Sequence, residues 1–319
     1  MDLIIRNPGP YHVSLDTVWE FEKAILEDVR VRRWSSKYNF LSALPNLFWR
    51  RIRGVQDPTP DGKPHPPTPR DMFTVLMGLN IRKTMPRYLL PGRKSVYLFD
   101  AWPSTHDKIQ NYAESCQIDY LFLSSQQATK MLQERLPHVS CHWIPEGINP
   151  ESYHYLSLAE KDIDVLQLGR RYNSYHNLIV EPLAQADRVY FYEKIAGQII
   201  FPTRAEYLDA LARSRISICV PATLTHPDRA GGIETMTTRY LQSMLSKCLI
   251  LGHAPRETIE LFGYNPIIEI DTQAPVAQLQ FIMKNIAEYS SLIEKNYQTV
   301  LAGHTWQHRW RQIASLLWS

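Results

Sequence analysis

The sequence predicts an α/β protein made of two doubly wound, Rossmann-like domains that face each other across a cleft. Short apolar, β-prone runs alternate with helical stretches, and this alternation requires parallel strands joined by helical crossovers. The pattern pauses once, in a turn-rich passage over residues 143–150, and then starts afresh. A length of 319 residues suits two domains. Such folds bind ligands at the carboxyl edges of their sheets, so we expect the site there.

The first domain, assigned to residues 1–150, contains four predicted strands and three predicted helices. Its strands are residues 3–5, 73–77, 95–99 and 120–123, and its helices are residues 18–26, 108–116 and 126–135. Between Pro58 and Pro69, six prolines fall in twelve residues. Proline lacks an N–H donor and cannot sit inside a helix or a central strand, so this segment is predicted to be a surface loop.

The second domain, assigned to residues 151–303, has five predicted strands, each followed by a helical stretch. The strands are residues 164–168, 189–192, 216–220, 248–251 and 267–270. The chain then ends in predicted helices over residues 276–289, 291–302 and 305–318. We expect the last segment, residues 304–319, to pack back on the first domain.

Composition excludes several classes of protein. The four cysteines, Cys116, Cys141, Cys219 and Cys248, form no C-x-x-C pair and have no histidine at metal-ligand spacing, so neither a disulfide framework nor a zinc site is indicated. The sequence has no run of about 18 apolar residues and no signal-like start. We therefore expect a cytoplasmic protein.

The formal net charge is +3, and the basic excess lies in the first half of the chain. Residues 29–56 contain seven Lys and Arg, no acid, and the aromatic residues Trp34, Phe48 and Trp49. This pattern suits a contact with a membrane surface or an acceptor, or else a solvated helix face with packed Trp anchors. Because the overall charge is near neutral and no nucleic-acid motif occurs, we expect no nucleic-acid partner.

Residues 227–252 carry the strongest chemical signal. Gly231 and Gly232 lie between a predicted strand and a predicted helix over residues 237–246. The amino terminus of a helix offers unpaired N–H groups and a partial positive charge, which suits a diphosphate. The hydroxyls of Thr235, Thr237 and Thr238 are candidate additional donors.

This stretch resembles a known family. Glu234 is followed eight positions later by Gln242, which resembles the E-x7-E signature of retaining GT-B glycosyltransferases with its second Glu replaced. Three other segments resemble that family in the same order: residues 144–149, 167–170 and 305–309. Residues 239–242, Arg-Tyr-Leu-Gln, are similar to an Arg-Tyr/Phe-x-Glu helix of bacterial members. The resemblance covers about residues 140–319.

The resemblance implies transfer of a sugar from a nucleotide-diphosphate donor to an acceptor hydroxyl on a glycan, a lipid or a small molecule, with retention and with neither a metal nor a further cofactor. It implies that Glu234 contacts hydroxyls of the donor sugar and that Gln242 holds the ribose. Gly169 and Arg170 are the expected phosphate contacts. Lys194, Arg229 and Arg239 remain alternatives for a second cation. Tyr192 either stacks on the nucleobase or packs in the core.

In the first domain, Asp100 and Trp102 follow a predicted strand and are candidate acceptor contacts. Asp100 is the candidate base if the reaction inverts the anomeric centre, with His106, His226 and His253 as alternatives. The segment Asp162-Ile-Asp164 has the outline of a D-x-D metal motif, but it opens a strand at the wrong edge, so we expect no metal there.

Two other functions fit the same sequence. A non-catalytic GT-B-like protein could keep the cleft and bind a partner protein, since Gln242 replaces the expected Glu. A nucleotide-sugar epimerase could use the same architecture.

Overall fold

The computed structural model describes residues 1–5, 15–34, 68, 70–85, 87–169, 171–195 and 200–319. These residues form two compact units. The first unit consists of Met1–Pro145 and Trp306–Ser319, and the second consists of Glu146–Thr305. The sequence placed the two boundaries at 150/151 and 303/304, whereas the structure places them at 145/146 and 305/306.

The first unit contains a six-stranded parallel sheet with strand order β2-β1-β3-β4-β5-β6. Its strands are β1 (Asp2–Ile4), β2 (Arg32–Trp34), β3 (Met72–Leu76), β4 (Lys94–Leu98), β5 (Tyr120–Leu123) and β6 (Ser140–Trp143). Its described α-helices are α1 (Asp16–Leu26), α2 (His106–Cys116), α3 (Gln126–Arg135) and the last helix of the chain, α12 (Trp306–Trp318).

Helix α12 packs into the hydrophobic core of the first unit. The ring of Trp306 is fully buried and stacks on Phe21 of α1, with ring centroids 4.3 Å apart. Trp310 packs edge-on against Phe73 of β3, and its indole N–H donates to Asp28 at 3.0 Å. Each large aromatic buried in this way contributes about 2 to 3 kcal/mol. The last helix is therefore part of this core.

The second unit contains a five-stranded parallel sheet with strand order β11-β10-β9-β7-β8. Its strands are β7 (Ile163–Gln167), β8 (Tyr190–Tyr192), β9 (Ser214–Cys219), β10 (Leu249–Gly252) and β11 (Ile268–Glu269). Its described α-helices are α4 (Asn173–Gln185), α5 (Arg204–Arg213), α6 (Ala222–Thr225), α7 (Pro227–Ala230), α8 (Thr238–Leu245), α9 (Arg256–Phe262), α10 (Pro275–Lys284) and α11 (Ser290–Gly303).

The connections of the second sheet define where it can bind a ligand. From β7 the chain passes through α4 to β8 on one side, and from β8 it returns through α5 to β9 on the other side of β7. The strand order therefore reverses between β7 and β9. Ligands of doubly wound sheets bind outside the carboxyl ends of the strands at such a reversal.

The predicted fold class, α/β with two parallel sheets, is confirmed. Two short strands were not predicted. β2 lies within the basic stretch 29–56 and pairs with β1, so residues 32–34 are strand and not the helix face considered above. The remainder of that stretch from residue 35, and most of the proline-rich loop, lies outside the described residues.

Three further observations concern the whole chain as described. No helix in these residues is long and apolar enough to cross a bilayer. All four cysteines are unbridged. Asp162 and Asp164 lie at the amino end of β7, and their carboxylates pair with Arg213 and Arg215 at 2.7 and 2.9 Å.

Candidate functional site

The turn after β7 makes a close approach to a guanidinium. Gly169 has φ +71°, a left-handed conformation that favours glycine. A Cβ at this position would lie 2.8 Å from Nη1 of Arg239, which is too close for an ordinary contact. The backbone therefore favours glycine here, and any larger residue would require the Arg239 guanidinium to move. Arg170, the expected phosphate contact, lies outside the described residues.

Arg239 carries its charge to the reversal between β7 and β9. It lies in the first turn of α8, is half-buried, and its Nη1 donates to the carbonyl oxygen of Leu168 at 2.7 Å. Its guanidinium also acts on the Cys219 thiol at the end of β9, where burial raises the pKa and the nearby guanidinium opposes that rise. A guanidinium has five N–H donors, so most remain for other acceptors after one backbone bond.

The amino terminus of α8 is capped by a carboxylate of the chain itself. The backbone N–H and the hydroxyl of Thr238 both donate to Oε2 of Glu146, which is 7% exposed. Glu146 belongs to the segment 144–149 noted above. This corrects the expectation that Thr238 offers its hydroxyl to a diphosphate, because a buried anion already occupies that position.

A second carboxylate occupies the preceding residues. The hydroxyl of Thr235 and the backbone N–H of Met236 each donate to Oε1 of Glu257 at 2.7 Å. Both Thr235 and Glu257 are buried. The expected role of Thr235 is corrected for the same reason as that of Thr238. The enclosed hydroxyl of Thr237 has no hydrogen-bond partner among the described residues.

Gln242 is buried and its amide is engaged at both ends. Its Oε1 accepts from the hydroxyl of Tyr207, and its Nε2 donates to the hydroxyl of Tyr153 at 3.0 Å. The side chain is 7% exposed. This arrangement differs from the expected ribose contact, because two tyrosines take the groups that ribose hydroxyls would need.

Glu234 lies in an accessible loop beside the two glycines. Gly231 has φ +54°, and a Cβ at Gly232 would meet no atom within 4 Å. The Glu234 side chain is 34% exposed, and its Oε1 lies 3.4 Å from Nε2 of His253. Nδ1 of His253 lies 3.2 Å from Oε2 of Glu269. The loop therefore presents a carboxylate that solvent and a ligand can reach.

Tyr192 ends β8 and is half-buried within an aromatic cluster. Its ring centroid lies 4.5 Å from that of His176 and 4.7 Å from that of Tyr190. The guanidinium of Arg171 lies 6.0 Å from the Tyr192 ring centroid. The cluster supplies an aromatic and cationic surface at the carboxyl end of β8, next to the turn after β7.

The candidates in the first unit are placed differently from expectation. Asp100 is half-buried after β4, but Trp102 is only 7% exposed and His106 is fully buried. Nε2 of His106 lies 3.1 Å from the carbonyl oxygen of Ala101, and burial lowers the pKa of this imidazole. The predictions of Trp102 as an acceptor contact and His106 as a base are corrected, because neither side chain is accessible.

Sequence reasoning missed three acids: Glu146, Glu257 and Glu269. Glu146 had a signal, because it lies in the quoted segment 144–149, whereas Glu257 and Glu269 had none. Across the described residues, no group of three or more His, Cys, Asp or Glu side chains has an arrangement that would hold a metal ion.

The two parallel sheets correspond to a known fold. Two parallel α/β sheets, with the candidate groups at the carboxyl edge of the second, make up the GT-B fold. Residues 167–315 match a family model described as "Glycosyl transferase-like". This stretch, which includes the candidate site of the second unit except Glu146 and Tyr153, is similar to that family.

Solved structures share this fold at low sequence identity. HepE from Anabaena, in complex with UDP and glucose, is 9% identical with a TM-score of 0.57, and the match covers 99% of each chain. Sucrose-phosphate synthase from Thermosynechococcus elongatus is 14% identical with a TM-score of 0.52, and the match covers 77% of this chain and 72% of the synthase.

TarM of S. aureus is 7% identical with a TM-score of 0.50, and the match covers 78% of this chain but only 55% of TarM. None of the curated proteins matches the chain in sequence.

Proposed function

We propose that the chain transfers a hexosyl group from a nucleoside diphosphate sugar to an acceptor hydroxyl, with retention and without a metal. The observation that carries the proposal is the position of Arg239. Its guanidinium lies over the Leu168–Gly169 turn at the strand reversal, where doubly wound sheets bind nucleotides. A guanidinium can hold two phosphate oxygens at once and so offset the charge of a departing diphosphate.

The remaining groups of this edge supply the other roles. Glu234 accepts hydrogen bonds from hydroxyls of the donor sugar, because its carboxylate is accessible and the Gly231–Gly232 loop leaves space beside it. Arg171 and Tyr192 offer a cation and a ring face to the nucleotide. The structure gives no support for the α8 amino terminus or Gln242 as donor contacts, so neither is part of the proposal.

Retention and metal independence rest on the same groups. In a front-face displacement, the leaving phosphate takes the acceptor proton, so no protein base is required. The two arginines meet the charge of the diphosphate in place of a cation. NMR of the product's anomeric proton tests retention, and activity in excess EDTA tests metal independence.

The class of reaction is tested first by binding. Thermal melting is measured against UDP-glucose, UDP-N-acetylglucosamine, GDP-mannose, dTDP-glucose and ADP-glucose. A ligand present at about 100 times its dissociation constant adds about 2.7 kcal/mol to stability. Stabilisation by one of these donors, followed by nucleotide release when acceptors are added, supports the proposal. No stabilisation by any donor would refute it.

One rival has a specific observation in its favour. A non-catalytic partner-binding protein is consistent with two contacts: Glu146 occupies Thr238, which was expected to meet the diphosphate, and Tyr153 occupies Gln242, which the resemblance assigned to the ribose. The variant Glu234→Gln separates the two. If the protein is an enzyme, this variant loses turnover but still binds the nucleoside diphosphate.

A further inference from the structure

Three side chains from three different elements meet at the carboxyl edge of the second sheet. Glu234 lies in the loop before α8, His253 follows β10, and Glu269 ends β11. The imidazole lies between the two carboxylates, with Nε2 3.4 Å from Glu234 and Nδ1 3.2 Å from Glu269. No motif in the sequence links these residues. His253 and Glu269 come together because β10 and β11 are neighbouring strands, and the loop before α8 adds Glu234 at the same edge.

The turn that carries His253 is held at several points. Oε1 of Glu269 accepts from the backbone N–H of Ala254 at 3.0 Å, while its Oε2 faces Nδ1 of His253. The hydroxyl of Tyr240, on α8, donates to the carbonyl oxygen of His253 at 2.9 Å. Glu269 therefore fixes both the backbone and the ring orientation. The ring in turn directs Nε2 at Glu234.

The hydrogen-bonding capacity of imidazole decides what this arrangement does. A neutral imidazole donates through one nitrogen only, so a ring that donates to Glu269 would turn the lone pair of Nε2 toward another carboxylate. An imidazolium donates through both nitrogens and joins the two acids. In either protonation state, it is an N–H at Nε2 that can hold the Glu234 carboxylate in place.

We propose that His253 is a positioning residue for the donor sugar: its ring, anchored by Glu269, donates from Nε2 to Glu234 and restrains that carboxylate in the orientation that accepts the sugar's hydroxyls. This inference rests on the proposed function. It also gives His253 a role other than the base considered from the sequence, because Nε2 faces Glu234 and not the open side of the loop. Glu269 acts indirectly, by holding the ring of His253.

Two substitutions separate the two nitrogens of the ring. His253→Gln keeps an N–H donor near the place of Nε2 and so preserves a contact with Glu234. His253→Asn keeps a donor near the place of Nδ1 and so preserves only the contact with Glu269. His253→Ala removes both. His138→Gln, at an exposed position of the first unit, is the matched control for the substitution itself.

The measurement is calorimetric affinity for two probes: the donor from the panel above that stabilises the wild-type protein most, and its nucleoside diphosphate alone. We expect His253→Ala to lose up to about fivefold in affinity for the nucleotide sugar and nothing for the diphosphate, since a partly exposed charged pair contributes up to about 1 kcal/mol. We expect His253→Gln to recover most of the loss and His253→Asn little of it. In a Glu234→Ala background, His253→Ala should have no further effect.

Several outcomes would overturn the inference. Equal losses for nucleotide sugar and diphosphate would indicate a structural role. A Gln variant no better than the Asn variant, or full additivity with Glu234→Ala, would show that His253 does not act through Glu234. A wild-type protein that binds no donor at all refutes the proposed function itself, which is a different result from a wild-type protein that binds and a His253→Ala variant that binds equally well.

Discussion

Two positions at the carboxyl edge of the second sheet both offer positive charge, but only one has it unopposed by a bound acid. At the amino terminus of α8, the N–H and hydroxyl donors of Thr238 are taken by Glu146, and those of residues 235 and 236 are taken by Glu257. At the turn after β7, the guanidinium of Arg239 donates to the carbonyl oxygen of Leu168, and no acid binds it among the hydrogen bonds and ion pairs of the described residues.

The contrast shows why a helix amino terminus is weak evidence for an anion site. The same N–H groups that attract a phosphate also attract any side-chain carboxylate that the fold brings near. Such a carboxylate belongs to the chain and does not dissociate from the protein as a ligand does. A guanidinium packed on backbone has already been partly desolvated, yet it keeps donors for a second acceptor.

Arg239→Ala should weaken donor binding about 100-fold, since charge-assisted bonds to phosphate contribute about 1.5 to 3 kcal/mol. The donor affinity of Arg239→Lys should lie between those of the wild type and Arg239→Ala, because lysine keeps the charge but loses the bidentate geometry. Calorimetry with the donor and with its diphosphate measures both. Arg256→Ala, at a side chain that is 91% exposed, is the control. Unchanged affinity in Arg239→Ala would remove the turn after β7 from the site.

Glu146→Ala should lower the free energy of unfolding by about 2 to 3 kcal/mol, because it leaves buried donors of Thr238 without an acceptor. Affinity for the diphosphate should change by less than about threefold. Urea denaturation and calorimetry are the measurements, with the exposed Glu288→Ala as control. If the diphosphate instead bound tenfold tighter, α8 would be the anion site and Glu146 its competitor.

Gly169→Ala should cost about 1 to 2 kcal/mol of stability for its left-handed backbone and should also weaken donor binding about tenfold, because the added Cβ displaces the guanidinium. Gly263→Ala is a matched control: its φ is +72°, but a Cβ there meets no atom within 4 Å. The control should lose similar stability and no affinity. Equal affinities in the two variants would argue against the Arg239 contact.

Gln242→Glu should leave nucleotide affinity within about twofold of wild type. Both tyrosine hydroxyls that contact the amide can rotate to donate to a carboxylate, so the new charge stays engaged inside the unit. A clear gain in affinity would mean that ribose reaches this position and displaces the tyrosines. Tyr207→Phe in the same background shows whether the hydroxyl is what holds the side chain.

Much of the fold was predictable because it depends on local pattern. Apolar runs such as residues 120–123 matched their strands, and the strands of the second unit were predicted with shifts of one or two residues at the ends, whereas the helix predicted over 276–289 ends at Lys284. β2 and β6 were missed because their short sequences, Arg-Arg-Trp and Ser-Cys-His-Trp, lack an apolar run, and they become strands by pairing with a sheet already formed.

The candidate site was less predictable, for a physical reason. The partners of Thr238 and Thr235 lie 92 and 22 residues away in the sequence, and nothing local to the glycine-rich loop indicates them. Gln242 likewise meets Tyr153 across 89 residues. Sequence reasoning located the residue types that suit a diphosphate, but whether each donor is engaged depends on contacts made only after folding.

The packing of α12 has a consequence for biosynthesis. Residues 1–145 precede the second unit in the chain, yet the core of the first unit lacks Trp306 and Trp310 until residues 306–319 are made. The ribosome therefore synthesises the whole second unit before the first unit can complete its aromatic core. Until then, a nascent chain should leave the faces of Phe21 and Phe73 that pack against these tryptophans uncovered, so chaperone dependence should be concentrated in residues 1–145.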